Sequence, residues 1–184
     1  KGWRAEGDRW PDIVHNMQNR IGISSGQMVT GNMGSEARMN YTMMGDNVNT
    51  AARLESSAKQ YGVYIQIADS TYQPVKDRVV VRDLDNVRVL GKNEPVKVWE
   101  LISEKGKEPE SYKKILPAYH EALDLYKNQE WSKAIEAFKA SDALEEMFGG
   151  RKTNPSRIYI PRCQHYLDNP PGDEWDGVWT LTSK

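Results

Sequence analysis

Arg38-Met39-Asn40-Tyr41-Thr42-Met43-Met44-Gly45-Asp46-Asn47-Val48-Asn49-Thr50-Ala51-Ala52-Arg53-Leu54-Glu55 is the densest stretch of this chain, and it reads as a strand that turns sharply into a helix. Tyr41 to Met44 is a short strand-like run that Gly45-Asp46 stops, and Asp46 or Asn47 is placed to cap a helix over residues 47–60, before Gly62 ends it. Val48, Ala51, Ala52, Leu54 and Ala58 give that helix a partly apolar face. Asn49 and Arg53 stand four residues apart, so their side chains leave the same face and can converge on one ligand. A guanidinium brings a fixed fork of donors and a permanent charge, and an amide holds a sugar or phosphate oxygen without adding charge. The pair suits a phosphate in transit. Spacing alone favours a plainer role, a solvated helix face with Arg53 paired to Glu55 or Glu36.

Upstream of this stretch, residues 20–24 and 27–30 flank Ser25-Gly26 with alternating apolar positions, the pattern of a half-buried hairpin. Gly31-Asn32-Met33-Gly34-Ser35 then reads as a turn-forming cluster. Its glycines bear a superficial likeness to a phosphate cradle, but no Gly-Lys-Ser/Thr follows. Downstream, residues 63–67 alternate as a strand, Asp69-Ser70-Thr71-Tyr72 starts a helical turn, and residues 79–89 and 96–101 are further strands. The expected fold class is therefore α+β.

Composition changes after residue 102. The stretch 103–110 is charged, poor in apolar residues and interrupted by Gly106 and Pro109, as an interdomain linker is. Beyond it, Tyr119, Ala122, Leu123 and Tyr126 recur at helical spacing, and Trp131, Ala134, Ile135 and Phe138 do so again, which predicts a helical hairpin resembling one tetratricopeptide repeat. A third helix is expected around residues 158–166, before a Trp-rich tail at 175–179. The expected division is 1–103 for the α+β part, 104–114 for the linker and 115–184 for the tetratricopeptide-like helical module.

Bulk properties narrow the function. The 184 residues carry a formal charge of -1, which argues against nucleic acid, since binders of phosphate backbones carry a basic surplus. The lone Cys163 makes no internal disulfide, and His15, His120 and His165 lack zinc-ligand spacing. A reducing, cytoplasmic setting follows, and a membrane anchor upstream in a longer parent is compatible with it. No apolar run reaches the roughly 18 residues that cross a bilayer.

The ordered run from Arg20-Ile21-Gly22-Ile23 through Gly31-Asn32-Met33-Gly34-Ser35, Arg38 to Thr42 and Met44 to Glu55, continuing through Val89-Leu90-Gly91-Lys92-Asn93-Glu94-Pro95-Val96, closely resembles the class III adenylate and guanylate cyclases. The resemblance implies the carboxy-terminal part of a ferredoxin-like cyclase fold that works as a dimer with composite sites at the interface. It implies ATP as substrate, cyclic AMP and pyrophosphate as products, and two Mg or Mn ions in the complete enzyme. On that resemblance, Asn49 orients the ribose and Arg53 stabilises charge on the α-phosphate. Thr42 selects the base, Arg38 either touches the β- or γ-phosphate or pairs with Glu36, and Lys92 is a candidate grip on the triphosphate because Leu90 stands where many relatives have lysine. Asp46 is read as structural. The family's Phe-x-Asp-Ile-like motif and its later lysine and Gly-Asp are absent, and Asp8 and Asp12 match neither, so the metal ligands are expected from a missing amino-terminal half or a second subunit. The alternatives are a guanylate cyclase, or a non-catalytic cyclase-like regulatory domain whose helices bind a protein partner.

Overall fold

The structure, a computed structural model, describes residues 5–15, 17–87, 95–145, 151–172 and 174–179. A 3-10 turn at Gly7–Arg9 leads to α1 (Asp12–His15), β1 (Ile21–Ile23), β2 (Val29–Ser35), β3 (Arg38–Met44) and α2 (Asp46–Tyr61). Then come β4 (Ile65–Ala68), α3 (Asp69–Tyr72), β5 (Val79–Val87), β6 (Val96–Glu104), α4 (Tyr112–Lys127), α5 (Trp131–Leu144) and α6 (Pro155–Asp168). The mixed α+β architecture is the expected one. The candidates Leu90 and Lys92 lie outside the described residues.

Four strands form one sheet in the order β1-β4-β6-β5, with β1 parallel to β4 and the other neighbours antiparallel. β2 and β3 form a separate two-stranded antiparallel ribbon. Three local expectations are corrected here. Residues 20–24 and 27–30 do not pair as a hairpin: β1 bonds to β4, and 29–30 open β2. The glycine-rich cluster at 31–35 is not a turn but the body of β2, and the true turn is the two-residue link between Ser35 and Arg38, which are register partners. Gly34, at φ +144, is needed there because a Cβ would fall 2.0 Å from the Arg38 carbonyl oxygen. Finally, the N-cap position of α2 is Gly45 at φ 151, so Asp46 and Asn47, expected as the cap, lie inside the helix instead.

Register partners across a sheet project to the same face. Gly22 pairs with Gln66, Gln66 with Glu100, and Glu100 with Arg82, so one row of side chains runs across all four strands. At the β1 end of this row the backbone of α2 lies directly on Gly22, where a Cβ would fall 2.1 Å from the Ala51 carbonyl oxygen and 2.4 Å from the Glu55 nitrogen. At the β5 end Arg82, fully buried, reaches Glu145 just past α5, and its guanidinium lies 5.1 Å from the Tyr119 ring of α4. Hence α2 and the carboxy-terminal helices lie side by side on one face of one sheet. On the opposite face Ile21 and Ile23 of β1 are exposed.

The carboxy-terminal helices have their own apolar interior. Tyr119, Leu123, Trp131 and Phe138 are buried in it with Tyr126, Tyr159, Cys163 and Tyr166, while Ile135, Trp175 and Trp179 pack against it. A second cluster joins Leu54, Ala58 and Tyr61 of α2 to Val63, Ala68, Leu84 and Val98. Helix α6 belongs to both, since Ile158 packs on the second cluster and its neighbour Tyr159 fills the first. The seam between them is polar and is bridged by ion pairs and a hydrogen bond. The Arg82 guanidinium bridges Glu100 at 2.6 Å as well as Glu145, Lys127 of α4 meets Asp83 at 2.9 Å, Arg162 of α6 meets Asp85 at 2.7 Å, and the Tyr159 hydroxyl donates to the Leu84 carbonyl oxygen at 2.5 Å. A register irregularity between Asp83 and Asp85 explains why four successive residues of β5, Arg82 to Asp85, are all buried rather than alternating.

Burial raises the phenol pKa of Tyr61, Tyr119, Tyr126 and Tyr159 above its ordinary value. A phenol in the unfolded chain ionises near about 10, so the folded state holds these protons longer, and the stability they contribute is intact below about pH 10 and falls above it. An alkaline titration should show the tyrosinate band of these residues growing together with loss of the helical circular-dichroism signal. Ionisation of all nine tyrosines with the helical signal intact would contradict this packing.

Candidate active site

Helix α2 is positioned by what it buries. Thr50, Leu54, Ala58 and Tyr61 form its buried stripe, at the spacing of one helix face. Its amino terminus is tied to the preceding loop by Asn47, whose Oδ1 accepts from the Ser24 hydroxyl at 3.1 Å and whose Nδ2 donates to the Gln27 carbonyl oxygen at 3.2 Å. Gly26 leaves room for this amide, since a Cβ there would fall 2.0 Å from Nδ2. The sequence by itself offers Asn47 only as a cap. Its actual role depends on a loop some twenty positions earlier, which local patterning does not see.

Asn49 and Arg53 precede Thr50 and Leu54 by one position each, so they flank the buried stripe rather than belong to it. Both are exposed, one turn apart on the same side of α2. Thr42 is exposed on β3 with only Met43 and Met44 between it and Gly45, and it faces Gly31 on β2, which offers no side chain to cover it. Arg38 shares the Thr42 face of β3 but stands at the hairpin tip. At about 3.3 Å per residue it lies roughly 20 Å along the strand from Met44, the last residue of β3. Thr42 thus stands four residues before α2, and Asn49 and Arg53 lie in its first two turns, while Arg38 is at the far end of β3 with no ion pair to Glu36 among the described residues.

The β2-β3 ribbon that precedes α2 is apolar and exposed on both faces: Met39, Tyr41 and Met43 project to one, Met44 and its register partner Val29 to the other, with Tyr41 exposed by 74%. Exposed apolar side chains in this number mark a surface that meets another. Among the described residues no group of three or more His, Cys, Asp or Glu side chains is gathered as a metal ion would require. Asp46 alone does not supply the oxygen shell of a hard divalent cation, and a guanidinium repels one. The described residues do not fit the metal ions that the cyclase family uses.

The family model for the adenylate and guanylate cyclase catalytic domain matches residues 8–103. This chain belongs to that family. The terminal-differentiation specific adenylate cyclase of Dictyostelium discoideum is 34% identical over 152 residues, 80% of this chain and 7% of that protein. Adenylate cyclase 1 of Rhizobium meliloti is 34% identical over 85 residues, 46% of this chain and 13% of that protein. The chain thus spans less than a fifth of the length of these relatives. Among solved structures, the adenylyl cyclase CyaB of P. aeruginosa is similar at 32% identity and a TM-score of 0.43, over 59% of this chain and 52% of that one. The 152 residues aligned with the Dictyostelium protein outrun the family-matched stretch, so that likeness extends past β6 into the helices. No described helix is long and apolar enough to cross a membrane.

Gly22 is the contact that seats α2, because backbone atoms on the facing helix leave no space for a methyl. Gly22→Ala should lower stability by about 1–3 kcal/mol through overpacking, read as a reduced midpoint in thermal or denaturant unfolding. A wild-type midpoint would mean that α2 does not lie on β1 as described.

Proposed function

We propose that this chain supplies the transition-state side of an adenylate cyclase site, in which Asn49 and Arg53 act on ATP bound across an interface. The observation that carries the reading is their placement: an amide and a guanidinium one turn apart on the exposed flank of a helix that follows an exposed, apolar ribbon. In this role Asn49 holds the ribose so that its 3′-hydroxyl is aligned with the α-phosphate. Arg53 donates to the α-phosphate oxygens as the new ester bond forms and the bond to pyrophosphate breaks. Donors preorganised at developing charge act mainly by electrostatics, and their effect grows as water is excluded by the partner surface. Asn49 and Arg53 stand on an exposed flank, so that exclusion requires a second surface. We infer a second cyclase subunit or an amino-terminal half as that surface, and assign to it the carboxylates for two Mg or Mn ions.

Thr42 is the proposed base-selecting residue, its hydroxyl accepting from the exocyclic amine of adenine. ATP is preferred to GTP on this ground, and the named relatives above are adenylate cyclases. Arg38 is retained as a candidate for the β- or γ-phosphate, delivered from the hairpin tip rather than from α2. Lys92 is retained as a candidate for the triphosphate from its place in the sequence. We propose 1–103 as the catalytic part, 104–114 as the connection and 115–184 as a helical module that takes a protein partner.

In an enzyme that includes the metal-binding half, Arg53→Ala should lower kcat by about 10²- to 10³-fold, by analogy with losing one oxyanion donor. The fold should persist, because Arg53 is outside the buried stripe. Unchanged turnover would remove Arg53 from the mechanism.

A further inference from the structure

One end of α2 presents Asn49 and Arg53, and the other end is held by elements that follow the sheet. Tyr61 closes α2 and is 5% exposed. Its hydroxyl donates to Asp85 Oδ2 on β5 at 2.6 Å, and Arg162 Nη1 of α6 donates to the same oxygen at 2.7 Å. Asp85 Oδ1 accepts from the Asn86 backbone N–H at 2.8 Å. One buried carboxylate is thus shared by the helix proposed to face nucleotide, a sheet strand and α6.

Two further contacts lie beside this one. Gly62, in the left-handed conformation that ends α2, backs onto residue 153 so closely that a Cβ would fall 2.0 Å from the Thr153 carbonyl oxygen. Ile158 of α6 packs on the apolar cluster that includes Leu54, Ala58 and Tyr61. Burial pulls the Arg162 pKa down, but the Asp85 carboxylate together with the Tyr159 and Tyr61 phenols more than offsets this, so the guanidinium stays charged. Burial first, and Asp85 second, raise the Tyr61 phenol pKa, so it stays a donor.

A helix transmits displacement along its axis, and α2 is a single uninterrupted helix from Asp46 to Tyr61. We propose that Tyr61, Asp85 and Arg162 are positioning residues for α2, through which the carboxy-terminal helices set where Asn49 and Arg53 stand. This rests on the reading that Asn49 and Arg53 act on nucleotide. A misplacement of about 1 Å at a reacting centre costs on the order of 10²-fold in rate, so loss of the node acts on kcat. Substrate affinity, which depends on other groups as well, changes little.

The test uses the parent enzyme containing this chain, with Arg162→Met, Arg162→Lys and Tyr61→Phe compared under conditions where each retains wild-type circular dichroism. Tyr61→Phe removes a single oxygen and provides the folded variant should Arg162→Met fail to fold. Expected are a kcat lowered about 10-fold or more in Tyr61→Phe and Arg162→Met with KM within about twofold of wild type. Arg162→Lys should recover part of the loss, and the double variant should fall no further than the worse single one. Arg53→Ala in the same background separates the two readings. If Arg53→Ala abolishes turnover while folded Tyr61→Phe and Arg162→Met keep wild-type kcat, the positioning proposal is overturned and the site reading stands. If Arg53→Ala has no effect, the site reading fails and takes this proposal with it.

Discussion

Arg82 sits in the middle of the molecule with its guanidinium fully buried, and the arrangement of the chain can be followed outward from that constraint. A charge in that position is tolerable only with opposite charges in contact, because desolvation is costly and removing one partner of such a pair costs about 3–5 kcal/mol. Glu100 on the adjacent strand supplies one partner, Glu145 beyond α5 supplies the other, and Arg151 neutralises the second oxygen of Glu145 at 3.1 Å. Burial lowers the Arg82 pKa, and the two carboxylates more than reverse this. The sheet therefore has a face that is complete only when the carboxy-terminal helices are docked on it. Lys127 on Asp83 and Arg162 on Asp85 continue the same seam along β5.

The row that contains Arg82 ends at Gly22, under α2, so the two halves of the helical layer share one foundation. This arrangement gives the surface chemistry its setting. α2 is fixed from below by β1, at its start by Asn47, and at its end by Tyr61, and these fixtures leave Asn49 and Arg53 standing out on its open flank. The helix that carries this exposed amide and guanidinium follows a ribbon on which Met39, Tyr41, Met43 and Met44 are exposed as well. They are coherent as one wall of a site that another surface closes.

Parts of this were legible in the sequence because they depend on local rules. The helix expected over residues 47–60 is Asp46–Tyr61, and its stop at Gly62 rests on backbone freedom that glycine alone provides without strain. The interior of the carboxy-terminal helices was likewise readable from 3.6-residue periodicity at Tyr119, Leu123, Trp131 and Phe138. Strand partners were not, because β1 pairs with β4 across the intervening ribbon and helix, whereas a hairpin reading looks only at the next run. The cluster Gly31 to Ser35 has turn composition, yet pairing with β3 overrides it. Arg82-Asp83-Leu84-Asp85 looks like solvated charge in one dimension, and only the helices that follow reveal it as a buried seam. Asn49, Arg53 and Thr42 are proposed through resemblance, whereas the tether made by Asn47 was not legible, since its partners Ser24 and Gln27 come from a loop with no signature of its own.

The central claim is that this chain holds phosphate-stabilising groups for a site completed elsewhere, and fragment complementation addresses it most directly. Purified residues 1–184 would be assayed for cyclic AMP with ATP and manganese, alone and mixed with a cyclase fragment carrying the family's metal-binding carboxylates. The account expects no product from either part alone, metal-dependent product from the mixture, and loss of that product when the chain carries Arg53→Ala. Robust activity from the chain alone, or a mixture as active with Arg53→Ala as with arginine, would contradict it.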